Sequence, residues 1–150
     1  VSPLLNYTTT VSVGKTMAYV QNLLVKGGAR QIMATYDDKG APTGVHFTVT
    51  TVNGLRAFTL PVHPDSVLRV MRKDPKTPAR YCTPEQAERV AWRIVKDWLE
   101  AQLAIIDTEM VAFDEVMLPY MHVGEGNSTV YQMYAANQLP ALGVAEVVDV

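Results

Sequence analysis

Apolar and polar positions along the chain change period several times, and each change marks an element. Thr8-Thr9-Thr10-Val11-Ser12-Val13 is a β-branched run and predicts an edge strand. From Lys15 to Lys26 the apolar positions Met17, Val20, Leu23 and Leu24 recur at helical spacing, so a helix buries that face. Gly27-Gly28 stops it, because glycine takes the left-handed C-terminal conformation at little cost. Three alternating segments follow, over 31–36, 45–51 and 55–62. Asp37-Asp38-Lys39-Gly40 and Asn53-Gly54 supply the turns between them, the second being a strong hairpin signal. The alternation sends Val45, Phe47 and Val49 to one face. Gln31, Met33, Thr35, His46, Thr48, Thr50 and Thr59 go to the other.

The second half reads as helical. His63-Pro64-Asp65 opens a short helix, with Val67, Leu68 and Met71 toward the core. Thr83-Pro84-Glu85-Gln86 has the spacing of a capping box and opens a long helix ending near Asp107. Its expected apolar stripe is Ala87, Val90, Ala91, Ile94, Trp98, Ala101 and Ile105. Ser128 is placed to cap a last short helix over 130–136, and residues 139–150 have no clear period. The prediction is an α+β fold: an α-β-β-β-α unit around a three-stranded antiparallel meander. Its helices lie on one face, with an extra N-terminal strand and a helical C-terminal extension. One domain spans 1–150, with its core over 7–107 and an acidic extension over 108–150.

The length of 150 residues and the 48% hydrophobic content are enough for a single domain with its own core. One cysteine, Cys82, excludes a disulfide framework. No apolar run reaches membrane-span length, and the opening residues lack the pattern of a secretory signal. A cytoplasmic protein with no membrane partner is therefore expected.

Charge changes the picture more than composition does. Residues 1–68 carry five bases against three acids, 69–96 eight bases against three acids, and 97–150 nine acids with no Lys or Arg. The bases of the middle segment are Arg69, Arg72, Lys73, Lys76, Arg80, Arg89, Arg93 and Lys96. Arg89, Arg93 and Lys96 fall on one stripe of the long helix. Together the eight can follow a phosphate backbone, with Tyr81 or Trp92 placed to stack on a base. The competing reading is internal neutralisation. Glu85–Arg89, Arg93–Asp97 and Lys96–Glu100 are all i, i+4 pairs, and the acidic extension can fold back over the bases.

Other chemistries are less well supported. No pair of His46, His63 and His122 has metal-ligand spacing, so no metal or cofactor is expected. Cys82 before a helix start reads as a structural thiol. Asp107 with Glu109, and Asp114 with Glu115, suit helix starts better than acid–base catalysis. Gly14-Lys15-Thr16 lacks the upstream glycine of a phosphate loop, because position 9 is Thr9; a looser anion contact at that helix start stays open. Tyr120, Tyr131 and Tyr134 gather near the C-terminus with His122 and suit an interface or a core edge. No catalytic constellation emerges, and the chain is not expected to be an enzyme.

The element order resembles the double-stranded-RNA-binding-domain fold and the heart of the single-strand annealing recombinases, without their residue motifs. Three stretches look like small proteins of tailed phages and prophages. They are Tyr7-Thr8-Thr9-Thr10 with Lys15-Thr16; Ala91-Trp92-Arg93 with Lys96 to Gln102; and Asp114 to Tyr120. That resemblance implies a mobile-element setting: replication, recombination or evasion of host defence. Three roles follow. The first is an accessory protein that binds nucleic acid through the basic segment. The second is a counter-defence protein that sequesters a nucleotide signal or binds a host protein. The third is an assembly protein docking through residues 139–150. A homo-oligomer is expected in each, through the Thr8–Val13 edge or the apolar tail.

Overall fold

The computed structural model describes residues 3–139. In chain order these form α1 (Val13–Lys26), β1 (Ala29–Tyr36), β2 (Pro42–Thr51), β3 (Gly54–Thr59), α2 (Pro64–Lys73), α3 (Pro84–Asp107), α4 (Phe113–Met117) and α5 (Val130–Ala135). Single 3-10 turns lie at Ala79–Tyr81 and Leu118–Tyr120. The fold is α+β, with an antiparallel sheet in the order β1-β2-β3. Residues 140–150, most of the expected docking tail, lie outside the described residues.

The meander forms where the turn chemistry predicts it. Asp37 Oδ1 accepts hydrogen bonds from the backbone N–H groups of Lys39 and Ala41, both at 2.9 Å, which folds the β1–β2 turn. Gly54 adopts φ +103° beside Asn53, a conformation that strains any L side chain. Register fixes the two faces. His46 pairs with Met33 and Thr59, while Phe47 pairs with Ile32 and Phe58. The β1–β2 ladder carries irregularities at both ends, between Ala29 and Gln31 and between Thr35 and Tyr36.

One face of the sheet packs on α1 and α3 around the larger of two apolar clusters. It includes Val20, Leu24, Phe47, Phe58, Trp92, Leu99 and Met117. Phe47 and Phe58 stack with ring centroids 5.3 Å apart, and Phe113 meets both edge-on. Each such large side chain contributes about 2–3 kcal/mol through burial. A second cluster of Met71, Ala87 and Val90, joined by Tyr7, Leu68 and Ile94, fixes α2 on the other side of α3.

Four local expectations are corrected. The Thr8–Val13 segment is not a strand. Ser12 caps α1 by accepting from the Lys15 N–H, and the Tyr7 and Thr9 carbonyls accept from Gln86 Nε2 at 2.8 and 3.0 Å. Backbone groups satisfied by a buried glutamine need no ladder, so tertiary context overrides β propensity. That glutamine therefore does not close a capping box; Thr83 alone caps α3, accepting from the Gln86 N–H. The expected stripe of α3 holds in its first half, where Ala87, Val90 and Ala91 are buried and Ile94 and Trp98 pack on the core, and fails in its second. Trp92, Val95, Leu99 and Leu103 are buried, whereas Ala101 and Ile105 are exposed, because α3 packs against α1, α2 and the sheet together. Finally, Thr129 rather than Ser128 caps α5, in a reciprocal box with Gln132.

Candidate functional site

The expected basic track divides into two unlike parts. On α2, Arg69, Arg72 and Lys73 occupy positions i, i+3 and i+4 and are all exposed. Arg80 is exposed in the following turn. Arg69 donates to Ser66 Oγ at 3.0 Å, and Arg80 lies 4.8 Å over the Tyr81 ring. Among the described residues Arg69, Arg72, Lys73 and Arg80 reach no carboxylate within ion-pair distance. Lys76 follows on the loop, where Asp74 accepts from the Lys76 N–H and the Thr77 hydroxyl. Those two hydrogen bonds outweigh desolvation and hold the Asp74 carboxyl below its usual range.

The α3 part is turned inward. Lys96 is only 7% exposed. Its Nζ lies 2.6 Å from Asp97 and 3.7 Å from Glu100, and 5.0 Å from the Tyr19 ring centroid. Tyr19 donates to Glu100 and Asn6 donates to Asp97, which closes the network. Burial pushes the Asp97 carboxyl up, but the hydrogen bonds from Lys96 and Asn6, and the Lys96 and Arg93 charges, hold it below its usual range. Lys96 is thus a structural cation and not an accessible phosphate contact. Arg89 is half-buried and spends Nε on Gln86 at 2.9 Å, and Arg93 is half-buried. Of the three i, i+4 pairs, only Lys96–Glu100 forms among the described residues. No acid of residues 107–139 pairs with the basic segment. Asp114 instead accepts from Asn53, and Glu115 from the Ala112 N–H.

Neither expected stacking residue offers a free ring. Trp92 is fully buried in the core. Tyr81 is half-buried between Arg80 and an edge-on Tyr7. Cys82 is a half-buried thiol directed at the Met71 and Pro78 carbonyls. Thr16 is fully buried, so the Gly14-Lys15-Thr16 triplet does not present a hydroxyl to an anion.

The sheet's other face carries a second feature, which sequence order hides. Met121 bridges to Phe58, and the His122 N–H donates to the Ala57 carbonyl, adding a short segment beside β3. This sets His122 opposite Ala57, at the end of the row Gln31, Thr48 and Ala57, and diagonal to Thr59 in the row of Met33 and His46. The Thr59 hydroxyl sits between His46 Nδ1, at 2.8 Å, and His122 Nε2. One O–H can donate to only one nitrogen, so a second bond requires the other nitrogen to present N–H. Burial, with the neighbouring His46 second, lowers the pKa of His122 and favours its neutral form. A groove of about 560 Å³ opens here, bordered by Gln31, Met33, His46, Ala57, His122 and Asn127. His46 and Asn127 also border a smaller pocket of about 190 Å³, which His63 and Tyr131 line from the far side. His46 and Asn127 thus border both hollows, with His122 on the larger and His63 on the smaller.

No group of three or more His, Cys, Asp or Glu side chains among the described residues is arranged to hold a metal ion. No helix among them is long and apolar enough to cross a membrane. Comparison with protein-family models, with curated protein sequences and with solved structures finds no match to this chain, so its functional reading rests on this geometry.

Proposed function

We propose that this protein binds nucleic acid through the exposed bases of α2 and the turn after it, as an accessory protein without catalytic activity. One observation carries the reading: Arg69, Arg72, Lys73 and Arg80 are exposed and have no carboxylate partner among the described residues. Charge that serves stability finds a partner, as Lys96 does; charge left in solvent on one helix face is available to phosphates. The setting implied by the phage-like stretches, in replication, recombination or evasion of host defence, suits such a binder.

The test is fluorescence anisotropy with labelled single-stranded DNA, duplex DNA and RNA over a salt series. Binding should weaken steeply with salt. Replacing Arg69, Arg72 and Lys73 together by alanine should lower affinity and reduce the salt slope by about two to three. The variant Lys96→Ala should leave the slope unchanged. A triple variant that binds like the parent overturns the assignment.

A further inference from the structure

We infer that the open face of the sheet is a base-binding platform, so that the nucleic acid is taken as a single strand whose unstacked bases lie across Met33, His46 and His122. The inference rests on the nucleic-acid reading and names the form of ligand it takes.

The groove's chemistry points to the bases and away from the phosphates. None of its bordering residues is Lys, Arg, Asp or Glu, so a phosphate finds no countercharge there. A planar uncharged heterocycle finds much more. Met33 is 59% exposed and offers a polarizable thioether. His46 and His122 supply two imidazole rings, with centroids 5.7 Å apart. Imidazoles serve as stacking partners for unpaired bases. Ala57 adds a small apolar side chain to the lining, and the Gln31 and Asn127 amides beside it can each donate and accept at a base edge. Thr48 Oγ1, on the groove floor, has no hydrogen-bond partner. Burial lowers the His122 pKa, which favours the uncharged ring.

The platform also connects to the bases of α2. The smaller pocket that shares His46 is also lined by His63, the residue that immediately precedes α2. A cleft next to His63 contains Arg69 together with Asp37, Asp65 and Glu88. Those three carboxylates make the cleft itself a poor phosphate site, so the backbone runs over the outer surface of α2, where Arg69, Arg72 and Lys73 are all exposed. Bases in a duplex are paired and stacked, so they cannot lie on this face. The two stacking side chains that sequence suggested, Tyr81 and Trp92, are both occupied elsewhere, which leaves this face to do that work.

The test compares four labelled ligands of one length: single-stranded DNA, single-stranded RNA, the matching DNA duplex, and an abasic strand with phosphates but no bases. One of the natural single strands should bind at least about tenfold tighter than the abasic strand and the duplex. His46→Ala should abolish that preference while retaining the residual, salt-sensitive binding. If His46→Ala fails to fold by circular dichroism, Met33→Ser, at an exposed position, serves the same purpose. Equal binding of abasic and natural strands, or of duplex and single strand, with continued dependence on Arg72 and Lys73, overturns the platform and leaves the nucleic-acid reading standing. If no strand binds, both fall together. Light scattering is run alongside. A stable dimer that Met33→Ser dissociates means that a second copy covers the face, and this too overturns the inference.

Discussion

Lys96 and Arg72 belong to the same basic run of sequence, yet the fold uses them in opposite ways. Lys96 is buried, its ammonium 2.6 Å from Asp97 and 5.0 Å from the centre of the Tyr19 ring. Arg72 stands in solvent on α2 with no carboxylate within reach among the described residues. The contrast teaches that a cluster of bases in sequence is not a surface. What a cation touches decides whether it stabilises the chain or waits for a ligand.

The contrast breaks most sharply in stability. Lys96→Ala leaves Asp97 and Glu100 without their cation and opens space beside Tyr19. It should cost about 2 kcal/mol in urea unfolding, less than a fully buried pair because both acids stay partly solvated. Gln86→Ala should cost about 1–2 kcal/mol, because the Tyr7 and Thr9 carbonyls lose their donor. Arg72→Ala should change stability by less than about 0.5 kcal/mol while weakening nucleic-acid binding. A loss from Arg72→Ala as large as that from Lys96→Ala would erase the distinction between the two regions.

Acid sharpens it further. The folded-state pKa of Asp97 is depressed, so its contribution is present above about pH 4 and is lost as the pH falls through the folded value. Removing Lys96 should flatten that acid limb. His122 has the same sign in a different window. Its folded pKa is also depressed, so the folded protein binds fewer protons and stability declines as the pH falls below about 6.5. His122→Gln should remove this slope in unfolding measurements at stepped pH. An unchanged slope would place the titration elsewhere.

Much of the fold was legible because it is local. The Asn53-Gly54 hairpin, the Thr83-Pro84 helix start and the alternation that sent His46, Thr48 and Thr59 outward all depend on neighbours a few residues apart. The failures came from distance. Thr8 to Val13 has strand composition, but the backbone just upstream of Ser12 is claimed by a glutamine 77 and 79 residues away. Trp92 looked available because the α3 pattern offers more than one apolar stripe, and only the packing of three neighbours selects among them. His122 joins Thr59 across 63 residues through a bridge that no periodicity announces. The expected edge for self-association at Thr8–Val13 goes with the strand that does not form.

The irregular ends of the β1–β2 ladder have a consequence for solubility. The short segment at Met121–His122 lies along β3, while β1 ends the sheet on the other side. A long flat border there would invite chain after chain to add a strand and grow into a fibre. On β1 the ladder slips near Ala29 and again near Tyr36, and Arg30 puts a charge beside the first slip. Only the short run between the slips keeps regular register, which leaves an incoming strand little to copy. The open face of the sheet and its border are thus built on different rules, the one regular across three strands and the other broken at both ends.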